Sequence, residues 1–464
     1  MKKMFRLMAV ALLSLIVAGM LAACGDNTAT TAPAATTAAA SATTAAATTA
    51  AATTAAASAT TAAATTAAGA TTAAAAGAGG SGTIRIYSSL PMTGSSKEQA
   101  DTLVNAMKLA LEDFTQGTNK IGNYTIDYQP LDDATAAKGQ WDADQEKSNA
   151  NKALNDPDAM VYLGTFNSGA AKVSIPILNQ ANLGMISPAN TLPCLTRFSA
   201  AAGCDKSEPD TYYPNKTRNY FRVITADDVQ GPAVVDFINN TLKAKKVFVI
   251  DDSQAYGKGL ADAVANSCKD SNIDCSQRAS INGKESDYKS LAAQIKSANP
   301  DAIFFGGITQ QQAGKLVADI RAAGIKAPFM GGDGINETAF IKDGGAAAEG
   351  VYSTLGGLPE DKLPAKGQDF VKRYKAKYGE LQGYTVYGYE AMSVALNAIK
   401  TAGTKDRKAV LQALANTKDF DGILGKWSFD KNGDTSLTDY TVYQVTDGKW
   451  QVVTTVKPKV NIGG

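Results

Sequence analysis

Two short apolar runs, each stopping in small polar residues, set the limits on what this chain can fold into. Val161-Tyr-Leu163 gives way to Gly164-Thr-Phe-Asn-Ser-Gly169, and Met185-Ile186 gives way to Ser187-Pro-Ala-Asn-Thr191. Between them Val173, Ile177, Leu178 and Ala181 recur at helical spacing, so the unit reads β-α-β. Parallel neighbours send both exit loops to one edge of the sheet, where open α/β sheets take their ligands. The helix entering at Ser168 to Ala170 brings free backbone N–H groups to the same edge, which suits an anion such as a carboxylate.

The same unit recurs on both sides of this stretch. Thr83–Tyr87 predicts a first strand, followed by Ser96-Lys-Glu-Gln99 as a capping box and a helix with Leu103, Met107, Leu111 and Phe114 on one side. Tyr124–Leu131 predicts the next strand and Gln145–Leu154 the next helix. After Tyr220–Ile224 the pattern starts afresh with a helix over Pro232–Leu242 and a strand over Lys246–Ile250. Strands over Ala302–Phe305 and Phe329–Met330 follow, each ending in a loop: Gly306-Gly-Ile-Thr-Gln310 and Gly331-Gly-Asp-Gly334. The fold class is therefore α/β, with two lobes that are each a doubly wound, mainly parallel sheet flanked by helices. Helices over Phe370–Tyr378 and Tyr387–Thr401 come next, and beyond Lys426 an alternation of two predicts an antiparallel ribbon with a turn at Asp447-Gly448.

Composition removes whole classes of chemistry. Among 464 residues there is no histidine, which excludes Ser-His-Asp and Cys-His catalysis and the commonest zinc ligand. The 45 basic and 44 acidic residues balance to +1, so no nucleic-acid surface is expected. No Gly-x-Ser-x-Gly elbow and no supported Ser-x-x-Lys motif is present. The expectation is a binding protein without catalytic residues, metal or cofactor.

Residues 1–23 read as a signal peptide: Lys2, Lys3 and Arg6 precede an apolar run from Leu7 to Leu21, too short for a stable membrane span. Leu21-Ala-Ala-Cys24 resembles the lipobox of bacterial lipoproteins, which makes Cys24 the lipidated residue and places the protein outside the cytoplasm, anchored to the cell membrane. Residues 24–82 are almost entirely Ala, Thr, Ser and Gly and read as a disordered tether. The remaining four cysteines fall into two local pairs, Cys194 with Cys204 and Cys268 with Cys275. Such spacing outside the cytoplasm favours disulfides, with buried free thiols as the alternative.

Signal, tether, paired lobes and repeated crossings together resemble the type I periplasmic binding proteins, and within them the branched-chain amino acid receptors of ABC importers. Met185-Ile-Ser-Pro-Ala-Asn-Thr191 is similar to that family's Ile-Ser-Pro-x-x-Thr loop, and Asp252-Ser-Gln-Ala-Tyr-Gly257 and Phe329-Met-Gly-Gly-Asp-Gly334 support the likeness. The resemblance implies three hinge crossings, near Thr225, Tyr352 and Leu424–Trp427. The lobes would be 83–224 with 353–425, and 225–352 with 426–464. It implies that Ser168, Thr191, Ala189 and Asn190 hold a ligand carboxylate and part of its ammonium, that Tyr256 closes from the second lobe, and that Asp333 is the ammonium's counter-charge. Gln99, Ile308 and Thr309 depart from the family's usual aromatics and face the ligand side chain, which leaves a polar amino acid, a small amide or a urea-type compound open. The implied protein is a monomer that delivers an amino acid to a permease. A ligand sensor without transport is the alternative.

Overall fold

The computed structural model describes residues 80–458, so the signal peptide, Cys24 and nearly all of the tether lie outside the described residues. Two sheets carry the fold. The first contains β1 (Gly82–Leu90), β2 (Lys120–Ile121), β3 (Tyr124–Asp132), β6 (Ala159–Gly164), β7 (Gly184–Ser187) and β8 (Tyr220–Arg222), in the order β2-β3-β1-β6-β7-β8. All its pairings are parallel except β2 with β3. A small hairpin, β4 (Ala134–Thr135) with β5 (Gln140–Trp141), stands beside it. Helices α1 (Lys97–Thr115), α2 (Ala143–Asn155) and α3 (Ser168–Asn179) connect the strands. They cover both faces: Ile84 and Ile86 enter one apolar cluster with Leu103 and Met107, while Tyr87 and Tyr162 enter another with Ile175 and Leu178.

The second sheet runs β10-β9-β11-β12-β13-β16-β17. Its strands are β9 (Val247–Asp251), β10 (Arg278–Ser280), β11 (Ala302–Gly306), β12 (Phe329–Gly331), β13 (Tyr352–Gly356), β16 (Tyr440–Thr446) and β17 (Lys449–Val456). Strands β9 to β13 are parallel, and β9, β11 and β12 are apolar at their centres, as expected of strands buried on both faces. Helices α4 (Asp227–Phe237), α5 (Ala255–Asp270), α6 (Lys289–Ala298), α7 (Ala313–Ala322) and α8 (Thr338–Gly344) flank them. The β16–β17 hairpin turns at Asp447 and Gly448 with φ of 53° and 70°, the left-handed pair that an Asp-Gly turn supplies at low strain.

Several expectations change. The helix expected over Pro232–Leu242 begins five residues earlier, at Asp227, and ends in a single wider turn over Ile238–Leu242. Pro232 lies inside it, not at its start. Strand β13 continues the second sheet to Gly356, so the crossing expected at Tyr352 comes after that strand. Helices α9 (Ala365–Tyr378), α10 (Thr385–Ala402) and α11 (Arg407–Ala415) then return to the first core. The short hairpin β14 (Phe420–Gly422) with β15 (Gly425–Trp427) stays there too, since Trp427 and Phe429 pack among first-lobe residues. The third crossing accordingly falls near Leu437–Tyr440, where Leu437 O accepts from the Thr225 hydroxyl at 2.9 Å and Tyr440 donates to Thr225 O at 3.0 Å.

Candidate functional site

The exit loops of both sheets meet between the lobes. On the first side, Ser187 Oγ accepts from the N–H groups of Ala189 and Asn190 at 3.1 and 2.8 Å and donates to Thr165 O at 2.8 Å, which locks the β6 and β7 loops together. The fully buried Arg222 guanidinium holds the loop from behind, donating to the carbonyls of Asn190 and Leu192 at 3.1 and 2.9 Å and to Asp434 at 2.6 Å. Asn167 caps α3 without a side-chain hydrogen bond, and Ser168, next in line, is buried. Its hydroxyl accepts only a long 3.4 Å bond from Leu192 N. The Thr191 hydroxyl is buried with no formed hydrogen bond among the described residues and lies beside the Asp227 carboxyl.

On the second side Asp333 is the centre. Gln230 and Tyr256 donate to one oxygen at 2.9 and 2.6 Å, and Tyr384 donates to the other. Burial raises the Asp333 carboxyl above the usual range, and the three donors, Tyr256 first, pull it part of the way back. Glycines make the loop possible: a Cβ on Gly332 would come within 2.6 Å of the Tyr256 hydroxyl, and one on Gly334 within 2.6 Å of Gly307 O. Asp252 fixes the neighbouring loop by accepting from Gln254 N at 2.9 Å and Ile308 N at 3.0 Å, and burial pushes its carboxyl up to about 7.

Phe166, Asn167, Ser168, Ala189, Tyr256, Ile308, Asp333, Gly334 and Tyr384 surround a cavity of about 20 Å³. That is room for little more than a water molecule, so the lobes must part to admit any amino acid. A groove of about 820 Å³ also runs between the lobes, where Glu98 pairs with Lys342 at 2.8 Å.

Of the expected site residues, Ser168, Ala189, Tyr256, Ile308 and Asp333 come together around the cavity, with Thr191 on the same loop as Ala189. Asn190 turns inward: its amide donates to Phe166 O at 2.9 Å and accepts from Tyr220 at 3.1 Å. Thr309 bonds Gly334 O at 3.3 Å, and Gln99 is buried with no partner for its amide among the described residues. Sequence reasoning missed Phe166, Gln230 and Tyr384. The available signal for Tyr384 was a polar aromatic at the entry of a helix returning to the first lobe. Its ring packs edge-on to Phe166, with centroids 5.1 Å apart. The structure joins Cys194 to Cys204 and Cys268 to Cys275, with Cα separations of 5.4 and 6.2 Å.

A family model described as "Periplasmic binding protein" matches residues 83–449. An "Amino acid binding protein" of Pseudomonas aeruginosa is 29% identical over 363 residues, covering 78% of this chain and 90% of that relative. A leucine-binding protein of Thermotoga maritima superposes with a TM-score of 0.71 at 24% identity, covering 81% of this chain and 99% of that one. An ABC transporter solute-binding protein of R. palustris in complex with benzoate superposes with a TM-score of 0.66 at 20% identity, covering 82% and 97%.

Proposed function

Because this chain belongs to the periplasmic binding protein family, we propose that it is an extracytoplasmic receptor that closes its lobes over an amino acid, branched-chain or related, and delivers it to the permease of an ABC importer. The observation that carries this reading is Asp333. It is buried, its hydrogen-bond donors are neutral groups drawn from both lobes, and it lies across a small cavity from the open start of α3. A zwitterion fits both ends. Its carboxylate meets Ser168, the Thr191 hydroxyl and the α3 amides, and its ammonium meets Asp333 and the Ala189 carbonyl. A carboxylate held only by neutral donors in a closed cleft gains from an incoming cation, whereas a benzoate-like acid offers it none.

The surrounding organisation supports the delivery role. The relatives include an amino-acid-binding protein and a solute-binding protein of an ABC transporter. The lipobox-like Leu21-Ala-Ala-Cys24 supports anchoring through lipid on Cys24. Among the described residues no helix is long and apolar enough to cross a membrane. The receptor acts as a monomer with one lobe of 83–224 and 357–436 and the other of 225–356 and 437–464, a division that the two sheets and their apolar clusters support.

Calorimetry of the ligand-stripped protein against branched-chain, small and polar amino acids, amides and benzoate tests the reading. Saturable binding of at least one amino acid is expected, with benzoate far weaker. A panel in which benzoate or a neutral amide binds and no amino acid does would reject it.

A further inference from the structure

Asp227 is the first residue of α4, just past the Thr225–Ala226 crossing, and its carboxyl is fully buried with no formed hydrogen bond among the described residues, the nearby Thr191 hydroxyl being the one side-chain donor that favours its ionised form. Its backbone N–H donates to Thr191 O at 2.8 Å, which ties it to the first-lobe loop. Gln230, one turn further along α4, donates its amide to Asp333 at 2.9 Å, so the start of this helix is packed against the Asp333 loop. After burial, the Asp333 charge is the strongest influence on Asp227. The other titratable or charged groups that act on Asp227, or are acted on by it, are Arg222, Asp228, Tyr256, Tyr384 and Tyr440. Arg222, the one cation among the described residues that acts on Asp227, already gives its guanidinium to Asp434, Thr196 and two carbonyls. Two carboxyls placed this way do not both stay ionised without a cation between them.

We propose that Asp227 and Asp333 act as one carboxylate pair at the cation end of the cleft, which takes in a ligand's protonated nitrogen in exchange for a proton. The pair holding one proton, together with R–NH3+, becomes two carboxylates beside the ammonium, and the displaced proton passes to the buffer. Asp227 does not line the cavity itself. It is a positioning residue that sets the charge behind Thr191 and Asp333. The ligand class that follows is an acid bearing a protonated amine. This deepens the amino-acid reading above and rests on it. A bare carboxylic acid of the same shape brings no cation to exchange and reverses the proton balance.

Calorimetry with L-leucine in phosphate and in Tris at one pH counts the protons exchanged on binding. Glu337, bonded to Ser96 across the lobes, would exchange protons on closure with any ligand, so differences are what count. The wild type should release more protons per leucine than Asp227→Asn, by up to one, and the variant should bind leucine roughly 30-fold more weakly. In the wild type alone, leucine should release more protons than 4-methylpentanoate, and that ligand should not be weakened in Asp227→Asn. This comparison stands even if the variant does not fold. Equal proton counts throughout, with leucine still bound, overturn the pair and leave the amino-acid reading intact. Failure of leucine and every other amino acid to bind overturns both.

Discussion

Asp333 receives hydrogen bonds from both lobes: Tyr256 and Gln230 belong to the second, while Tyr384 reaches across from the first. Asp333 and Tyr384 therefore fail differently when removed. Asp333→Asn leaves a ligand ammonium without its counter-charge, and losing one member of a desolvated pair costs about 2–5 kcal/mol of binding, some 30-fold upward. Tyr384→Phe removes a bond that exists only in the closed form, so about 1.5–3 kcal/mol should be lost from ligand affinity with little change in melting temperature. Equal losses in affinity and in stability of the unliganded protein would show instead that Tyr384 holds the fold. Asp333 was legible in the sequence because Phe329-Met-Gly-Gly-Asp-Gly334 resembles a loop of the type I binding proteins that carries the ammonium's counter-charge. Tyr384 and Gln230 were not, because Tyr384 stands at a helix entry and Gln230 inside a mostly buried helix, and only tertiary packing brings either to Asp333.

Among the elements, α1 shows how a local rule is overridden. Ser96-Lys-Glu-Gln99 has the spacing of a capping box, yet the Ser96 hydroxyl makes no bond to its own helix and donates instead to Glu337 of the second lobe at 3.0 and 3.1 Å. Glu337 is buried, and burial pushes its carboxyl up to about 8, with Ser96 offsetting part of the effect. An opening of the lobes that exposes Glu337 to water would bring it back to its ordinary 4.5. Closure therefore takes up a proton between these values, is most favoured at the low end, and loses that contribution as pH rises through about 8. In affinity titrations, Glu337→Gln relative to wild type should gain about tenfold or more across this window and then level off. A pH-independent ratio would mean Glu337 is equally buried in the open form. The insert between β7 and β8 is a second such element. It is closed by Cys194–Cys204 and reaches the other lobe through Arg197 to Asp228 at 2.6 Å. Non-reducing peptide mapping should recover this pair and Cys268–Cys275. Replacing either pair by alanine should remove roughly 2–3 kcal/mol of stability. Free thiols in secreted protein would contradict both links.

For the whole molecule, the alternation of strand and helix was readable from periodicity, because parallel strands buried on both faces leave little freedom in their sequence. The crossings were harder to place. β13 carries the second sheet to Gly356, and Trp427 stays in the first core, since where a chain changes lobes depends on which cluster its large side chains can enter. The ends of the chain carry a separate expectation. Cys24→Ala should release the protein from the membrane fraction while leaving ligand binding unchanged, and firm attachment of the variant would contradict the lipobox reading. The most direct measurement of what the cleft holds is native mass spectrometry of the freshly purified protein, followed by identification of the small molecule released on unfolding. An α-amino acid bound one to one is the predicted result, and a nitrogen-free acid such as benzoate would contradict the assignment of Asp333 as the ligand's counter-charge.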